Sequence, residues 1–454
     1  MTFLGAGMLS GISAQVSPLQ VDTLKETKMP AQWDLQSCID YAKEQNITIR
    51  KNRITAASTQ IDVKTAKAAL FPSLSFSTSQ QVVNRPYQET SSRVSGSEII
   101  SSNSKTSYNG NYGLNASWTL YNGNKRLKTI QQEKLNNQVA ELDVATSENN
   151  IQESIAQVYI QILYAAESVK VNESTLQVSI AQRDRGQELL NAGSIAKSDF
   201  AQLEAQVSTD RYQLVTAQAT LEDYKLQLKQ LLELDGENEM NIYLPALSDE
   251  NVLAPLPTKK DVYISALSLR PEIEASKLNV EASELGIGIA KSSYLPTISL
   301  SAGIGTNHTS GSDFTFGEQV KNGWNNSIGL SVSVPIFNNR QTKSAVQKAK
   351  LQYETSMLSL LDEQKTLYKT IEGLWLDANS AQQRYAAANE KLKSTQISYE
   401  LISEQFNLGM KNTIELLTEK NNLLQAQQEQ LQAKYMAILN TQLLKFYQGD
   451  QLAI

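Results

Sequence analysis

Apolar positions in this chain follow two rhythms. Over residues 340–407 they recur at heptad spacing. Leu360, Leu367, Leu374, Ala381 and Ala388 form one ladder, and Ile371, Ala378, Tyr385, Leu392, Tyr399 and Phe406 form a second, offset by three and four residues. This is the a/d seam of a coiled coil, and strict seven-residue spacing implies left-handed supercoiling against partner helices. The stretch has no proline and a single glycine, Gly373. A continuous helix there spans roughly 100 Å at ~1.5 Å per residue, longer than a compact domain needs. A similar stretch covers 124–191, and each is followed by a glycine break and a shorter helical segment, 197–234 and 413–447. Helical segments at 35–69 and 261–293 precede them. The remaining faces carry Gln, Ser, Asn, Thr, Lys and Glu, a composition that suits a solvated outer face and the wall of a water-filled channel equally.

Between these helices the rhythm changes to two. Leu74 and Phe76 alternate with Ser73, Ser75 and Ser77; Tyr108, Tyr112, Leu114, Ala116, Trp118 and Leu120 alternate with Asn109, Asn111, Asn115, Ser117 and Thr119. Further on, Ile298, Leu300, Ala302 and Ile304 pair with Ile328, Leu330, Val332, Val334 and Ile336, with serines at the alternate positions. Such strands have one apolar and one polar face. They fit an antiparallel hairpin on a soluble core or the wall of a membrane barrel. Two details favour the barrel. Phe71, Tyr121, Tyr294 and Phe337 all fall at the helix-proximal strand ends, where an interfacial aromatic girdle would sit. The intervening loops, 83–107 and 306–323, are long and polar. Pro72 and Pro296 stand where helix gives way to strand. Proline lacks the amide proton and pushes its predecessor out of the helical region, so it suits that joint.

These segments are copies. "AKAALFPSLSFS" (66–77) aligns with "AKSSYLPTISLS" (290–301). "SWTLYNGNK" and "ELLNAGSIAKSDF" align with "SVPIFNNRQ" and "EQFNLGMKNTIEL" at one offset of 216 residues, from 117 to 333 and from 188 to 404. The period is too long for a solenoid and indicates a duplicated domain of about 200 residues. The chain divides into 34–234 as repeat 1, an irregular segment 235–262, repeat 2 at 263–448 and a tail 449–454. Before them lie 1–14, read as the remnant of an export signal, and a linker 15–33. The first stretch is apolar and small and ends Ile12-Ser13-Ala14, but the first basic residue is Lys25, so an unstructured start is the other reading. No cysteine follows the cut, so no N-terminal lipid anchor is expected.

Composition removes several functions. Of 454 residues one is cysteine, Cys38, and one is histidine, His308. No intrachain disulfide and no Cys/His metal site can form, and most His-based catalysis is excluded. Net charge is −6, against a nucleic-acid partner. The "GIG" fragments at 286–288 and 303–305 are too weak for nucleotide loops, and no P-loop is present. No enzyme activity and no cofactor is expected. No run approaches the ~20 apolar residues of a spanning helix.

The duplication, the two proline-initiated strand pairs and the repeated Asn-x-Gly turn with a following acid, Leu190-Asn191-Ala192-Gly193…Asp199 and Phe406-Asn407-Leu408-Gly409…Glu415, together resemble the TolC-like outer-membrane efflux family. The similarity runs from about Trp33 to Gln448. The resemblance implies a mixed α+β, mainly α, fold: antiparallel coiled-coil helices forming a periplasmic α-barrel, and four strands per chain contributing to a shared outer-membrane β-barrel. Four strands cannot close in lipid, and three chains would supply twelve. The implied partners are two further copies (a homotrimer), outer-membrane lipid, and a periplasmic adaptor leading to an inner-membrane pump. The implied function is a passive export duct. Turns at Asn191, Gly193, Asn407 and Gly409 would be periplasmic tips that contact the adaptor, and Asp199, Phe406, Lys411 and Glu415 would form the gate. Thr418 stands where some relatives keep a second acid, and Phe406 where some have tyrosine. An ordinary carboxylate at a helix N-terminus is the other reading of Asp199 and Glu415. A soluble periplasmic coiled-coil protein with two small β-hairpins is the competing class.

Overall fold

The computed structural model describes residues 29–452 apart from 88–90, 96–97, 103–104, 236–239, 246–251, 311 and 313. The expected signal remnant and most of the 15–33 linker lie outside the described residues. The elements in order are α1 Leu35–Gln45, α2 Ile47–Ala68, β1 Ser73–Asn84, β2 Ser91–Ser95, β3 Glu98–Ser102, β4 Thr106–Asn122, α3 Lys125–Asn191, α4 Lys197–Leu231, α5 Lys259–Leu269, α6 Pro271–Ser292, β5 Thr297–Thr309, α7 Phe316–Asn322, β6 Asn325–Ser333, α8 Gln341–Asn407 and α9 Thr413–Gln448.

The long rods α3 and α8 each run 67 residues and begin one residue inside the expected bounds. Both heptad ladders of α8 turn inward: Leu367, Ile371, Ala378, Ala381, Tyr385, Ala388 and Phe406 are buried. Each rod pairs with the following helix as an antiparallel hairpin, and α6 packs between α3 and α8.

The shorter helices differ from expectation in ways that local chemistry explains. The segment 35–69 is two helices. Asn46 closes α1, then its side chain accepts the amides of Thr48 and Ile49 to start α2. Its amide also donates to the Leu231 carbonyl at 3.1 Å, fastening the break to the end of α4. Likewise 261–293 breaks at Arg270, because Pro271 takes the first helical position of α6. Helix α5 starts earlier than expected, inside the segment read as irregular, because Thr258 caps it by accepting from the Asp261 amide. Helix α4 stops at Leu231: Glu233 takes a left-handed conformation, φ 56°, and the Leu234 amide bonds back to Lys229 at 2.9 Å.

One antiparallel sheet has the order β1-β4-β5-β6, so the strand pairs of the two repeats join through β4 and β5. The loops read at 83–107 and 306–323 are not featureless. The first contains a separate hairpin of β2 and β3. The second starts later, because β5 runs to Thr309, and contains α7, capped by Thr315 and Glu318. The alternation predicts that Val334 and Ile336 continue the last strand. They lie beyond β6, which ends at Ser333 before Pro335, a residue without an amide to donate.

The apolar core lies around the middle of the rods. One cluster joins α1, the midpoint of α3, the ends of α4 and α9, Val252 and Leu452; a second joins α5, α6, α8 and α9. Trp33, assigned to the linker, is buried here and bridges Ile242, with its amide bonded to Asn241 at 2.8 Å.

Candidate functional site

The sheet exposes its apolar face. Registers Leu74↔Ala116, Phe76↔Leu114, Trp118↔Leu300, Ile304↔Leu114, Leu300↔Leu330 and Ala302↔Ile328 put these side chains on one surface. Ile328 is 83 % and Leu330 65 % exposed in the isolated chain. The other face carries Ser, Asn and Thr, some of them cross-strand hydrogen-bonded, as in Ser73–Ser117 at 3.0 Å. Among the described residues, strand order leaves β1 and β6 with unpaired outer edges.

The girdle residues Phe71, Tyr121, Tyr294 and Phe337 are all exposed at the helix-proximal end. Strict alternation would set Leu120 and Tyr121 on opposite faces. A bulge between Thr119 and Tyr121 pairs Tyr121 with Ile298 instead, returning its ring to the apolar side. Pro72 and Pro296 immediately precede β1 and β5. The return joints use a different device, two successive left-handed residues: Gly123-Asn124 before α3 and Asn339-Arg340 before α8. The Ser292 hydroxyl donates to the Gly123 carbonyl at 2.8 Å, so the exit of one repeat is pinned to the entry of the other.

A second aromatic cluster closes the far end of the same face and was not anticipated. His308 lies over Gly110, where a Cβ would overlap the imidazole, among Tyr108, Tyr112 and Phe316 at ring distances of 5.2, 5.8 and 5.0 Å. Ten residues separate Tyr108 from Trp118. At ~3.3 Å per residue and a tilt of ~40°, that span is roughly 25 Å, the height of the apolar band of an outer-membrane barrel. The alternation carried this signal, but Thr306 and His308 interrupt the apolar series of β5 at this end. Among the described residues no helix is long and apolar enough to cross a membrane.

At the opposite end of the rods are two matching turns. Gly193 and Gly409 have φ of 73° and 74°, with open space around both, so glycine is needed for its backbone and not for its size. The following amides, of Ser194 and Met410, reach back to Leu189 and Gln405 at 2.8 and 2.9 Å. Asn191 and Asn407 are the last, exposed residues of α3 and α8. At the second turn Asn412 and Glu415 cap reciprocally: Glu415 accepts the Asn412 amide at 3.2 Å and Asn412 accepts the Glu415 amide at 2.9 Å. Lys411 donates to Glu415 as well, at 2.5 Å. Its hydrogen bond, then that of the Asn412 amide, holds the Glu415 carboxyl below the usual carboxylate range. Asp199 accepts the Ala196 amide at 3.3 Å, but alanine has no side chain to return the bond. The fold brings Lys411 and Glu415 together within one tip. Asp199 stands at the other, bonded to neither among the described residues. The Phe406 ring is buried in the seam.

Two buried charge clusters escaped the sequence reading. Arg270, at the α5–α6 break, bonds Glu153 at 3.2 Å and Glu272 at 2.8 Å and lies 4.2 Å from the Tyr447 ring. Burial raises the Glu153 pKa, an effect Arg270 partly offsets. Nearer the tips, Lys420 of α9 donates to Asp210 of α4 and Ser179 of α3, and Ser179 donates to Asp210. All three are 2–3 % exposed. Burial lowers the Lys420 pKa, opposed by the bond and charge of Asp210.

A sequence model described as outer membrane efflux protein matches residues 38–233 and 262–449. Outer membrane efflux protein BepC of Brucella suis is 24 % identical over 294 residues, 64 % of this chain and 61 % of its own. Outer membrane protein TolC of Escherichia coli is 23 % identical over 311 residues, 66 % of this chain and 62 % of its own. The chain therefore spans about three fifths of the length of these relatives. A crystal structure of CusC superposes with a TM-score of 0.78 at 18 % identity, covering 93 % of this chain and 94 % of that one. That likeness speaks to the fold: long helices joined to a strand sheet. With both halves of the duplicated architecture matched, the chain belongs to the outer membrane efflux protein family, and its place is the outer membrane, with the helical rods in the periplasm.

Proposed function

We propose that the protein is a trimeric channel-tunnel that passively conducts cargo, handed on by a periplasmic adaptor and an inner-membrane pump, to the cell exterior. The observation that carries this reading is a four-stranded sheet with an exposed apolar face and two open edges. Unpaired strand edges are not tolerated in hydrocarbon, so a membrane-embedded sheet of this kind needs further copies. Three copies of the four-stranded sheet supply twelve strands. The Ser, Asn and Thr face then lines a wet interior, and the rods continue the passage by roughly 100 Å.

In this reading the turns around Asn191, Gly193, Asn407 and Gly409 face the adaptor. Three copies of Glu415, each held ionised by Lys411, ring the tip and favour cations, with Asp199 and Phe406 as neighbouring tip residues. The cargo is moved by the partners' energy. The names of relatives, such as the "Toxin and drug export protein A" of Aggregatibacter actinomycetemcomitans and the "Alkaline protease secretion protein AprF" of Pseudomonas aeruginosa, suit both small-molecule efflux and protein secretion.

The test is the native mass of protein extracted in detergent from separated membranes. A trimer from the outer-membrane fraction is expected. A monomer or dimer in the soluble fraction overturns the reading in favour of a structural coiled-coil protein.

A further inference from the structure

We propose that the membrane-proximal ends of the helices form a basic collar that binds the phosphate headgroups of anionic phospholipids in the periplasmic leaflet of the outer membrane. This inference rests on the reading of the sheet as membrane-embedded.

The collar is written in the sequence beside the aromatic girdle. Within eight residues of Phe71, Tyr121, Tyr294 and Phe337, on the helical side of each, stand eight basic residues and no acidic one. The whole chain has 41 basic and 47 acidic residues, so the basic excess is local. Eight residues of helix measure roughly 12 Å. A headgroup layer is roughly 5–8 Å deep, and the Debye length beyond it is ~8 Å. This level of the helices therefore lies within the field of a charged leaflet.

Six of the eight, Lys64, Lys67, Lys125, Lys291, Arg340 and Lys343, are exposed. The other two are engaged by the joints: Arg126 donates to the Thr119 carbonyl at 2.5 Å and Lys128 to the Gly288 carbonyl at 3.2 Å. Among the described residues none of the six exposed cations forms an ion pair. Cations farther along the same helices do, Arg53 of α2 with Glu148 at 2.9 Å and Lys277 of α6 with Glu274 at 3.0 Å.

Helix electrostatics do not account for the collar. Lys67 and Lys291 stand in the last turns of α2 and α6, where the helix dipole favours a cation. Lys125 and Lys343 stand in the first turns of α3 and α8, where it opposes one, and neither turn holds an acid. An anion outside the chain offsets both that opposition and the mutual repulsion of the cations. The apolar face of the sheet ends at the girdle, and the collar begins there. The surface thus passes from one that suits hydrocarbon to one that suits anionic headgroups. Each basic residue at a membrane surface raises the preference for anionic lipid roughly fivefold.

The experiment reconstitutes purified full-length protein in vesicles of phosphatidylethanolamine and phosphatidylglycerol in equal parts, extracts it gently and counts the retained lipids by mass spectrometry. It compares the wild type with a collar variant, Lys67→Gln with Lys291→Gln and Lys343→Gln. The control is Lys365→Gln with Lys369→Gln and Lys393→Gln, three exposed lysines farther down α8. Wild type and control should retain phosphatidylglycerol severalfold over phosphatidylethanolamine, and the enrichment should fade at high salt. The collar variant should retain the two lipids nearly equally. Lys343→Gln alone should lose part of the enrichment, and it serves if the triple variant does not assemble. A collar variant that enriches phosphatidylglycerol like the wild type overturns the proposal. So does a wild type that retains both lipids in the vesicle proportion, and either result leaves the channel reading standing. A wild type that does not enter the vesicles overturns the membrane reading of the sheet, and this inference with it.

Discussion

The indole of Trp118 on β4 donates to the carbonyl of Leu70 at 2.7 Å, across 48 residues of chain. Leu70 lies in the turn between α2 and Pro72, so this bond fixes the angle at which α2 enters the sheet. Trp118→Phe keeps most of the ring and removes the donor. It should lower the stability of the folded protein by about 1 kcal/mol, as for loss of one neutral hydrogen bond. Thermal unfolding in detergent measures this, and an unchanged midpoint would mean water replaces the indole at no loss.

Leu330 is central in β6, opposite Leu300, on the exposed apolar face. Leu330→Arg should prevent outer-membrane assembly, since a cation at the bilayer midplane costs ~2–4 kcal/mol per site and the proposed trimer would carry it three times. Ser331→Arg, on the polar face, should assemble. Fractionation and immunoblotting compare the two. Normal outer-membrane levels of Leu330→Arg count against a lipid-facing β6.

Glu415 has a folded-state pKa below its ordinary value because of Lys411 and the Asn412 amide. A depressed carboxyl stays charged as pH falls through the usual carboxylate range and loses its contribution only at the lower folded value. If three Glu415 carboxylates ring the tip of the proposed channel, its cation preference should persist through that range and fade below it. In Lys411→Ala it should fade at higher pH, and in Glu415→Ala it should be weak throughout. Ion selectivity measured against pH decides this, and superimposable profiles for the three proteins would overturn the proposed role of Glu415.

Cys38 is fully buried in α1, and burial, with the nearby Asp34 charge adding to it, pushes its thiol up to about 12. The thiolate is the reactive form, so the native protein should resist maleimide at neutral pH and label fully once unfolded. Mass spectrometry follows the label. Rapid native labelling would mean that α1 opens readily from the middle of the rods.

The order of repetition was legible from the chain alone. Heptad ladders fixed the 340–407 rod because a seam of period seven has only one helical solution. Period-two alternation assigned Leu74, Phe76, Leu114, Leu300 and Leu330 to one face because successive strand side chains must point oppositely. Proline and glycine marked the joints because each restricts or extends the backbone locally. Other features needed the folded chain. Register between strands distant in sequence decided that β4 pairs with β5 and that a bulge returns Tyr121 to the apolar side. Asn46 and Arg270 broke expected helices through capping and proline geometry that hydrophobic period does not report. Lys420, Asp210 and Ser179 looked like polar residues on helix faces. The two partners of Lys420 lie 210 and 241 residues away, and only the packing of three helices shows that the charges are inside. Local periodicity is written in neighbouring residues, whereas the burial of a charge depends on what the rest of the chain brings to it.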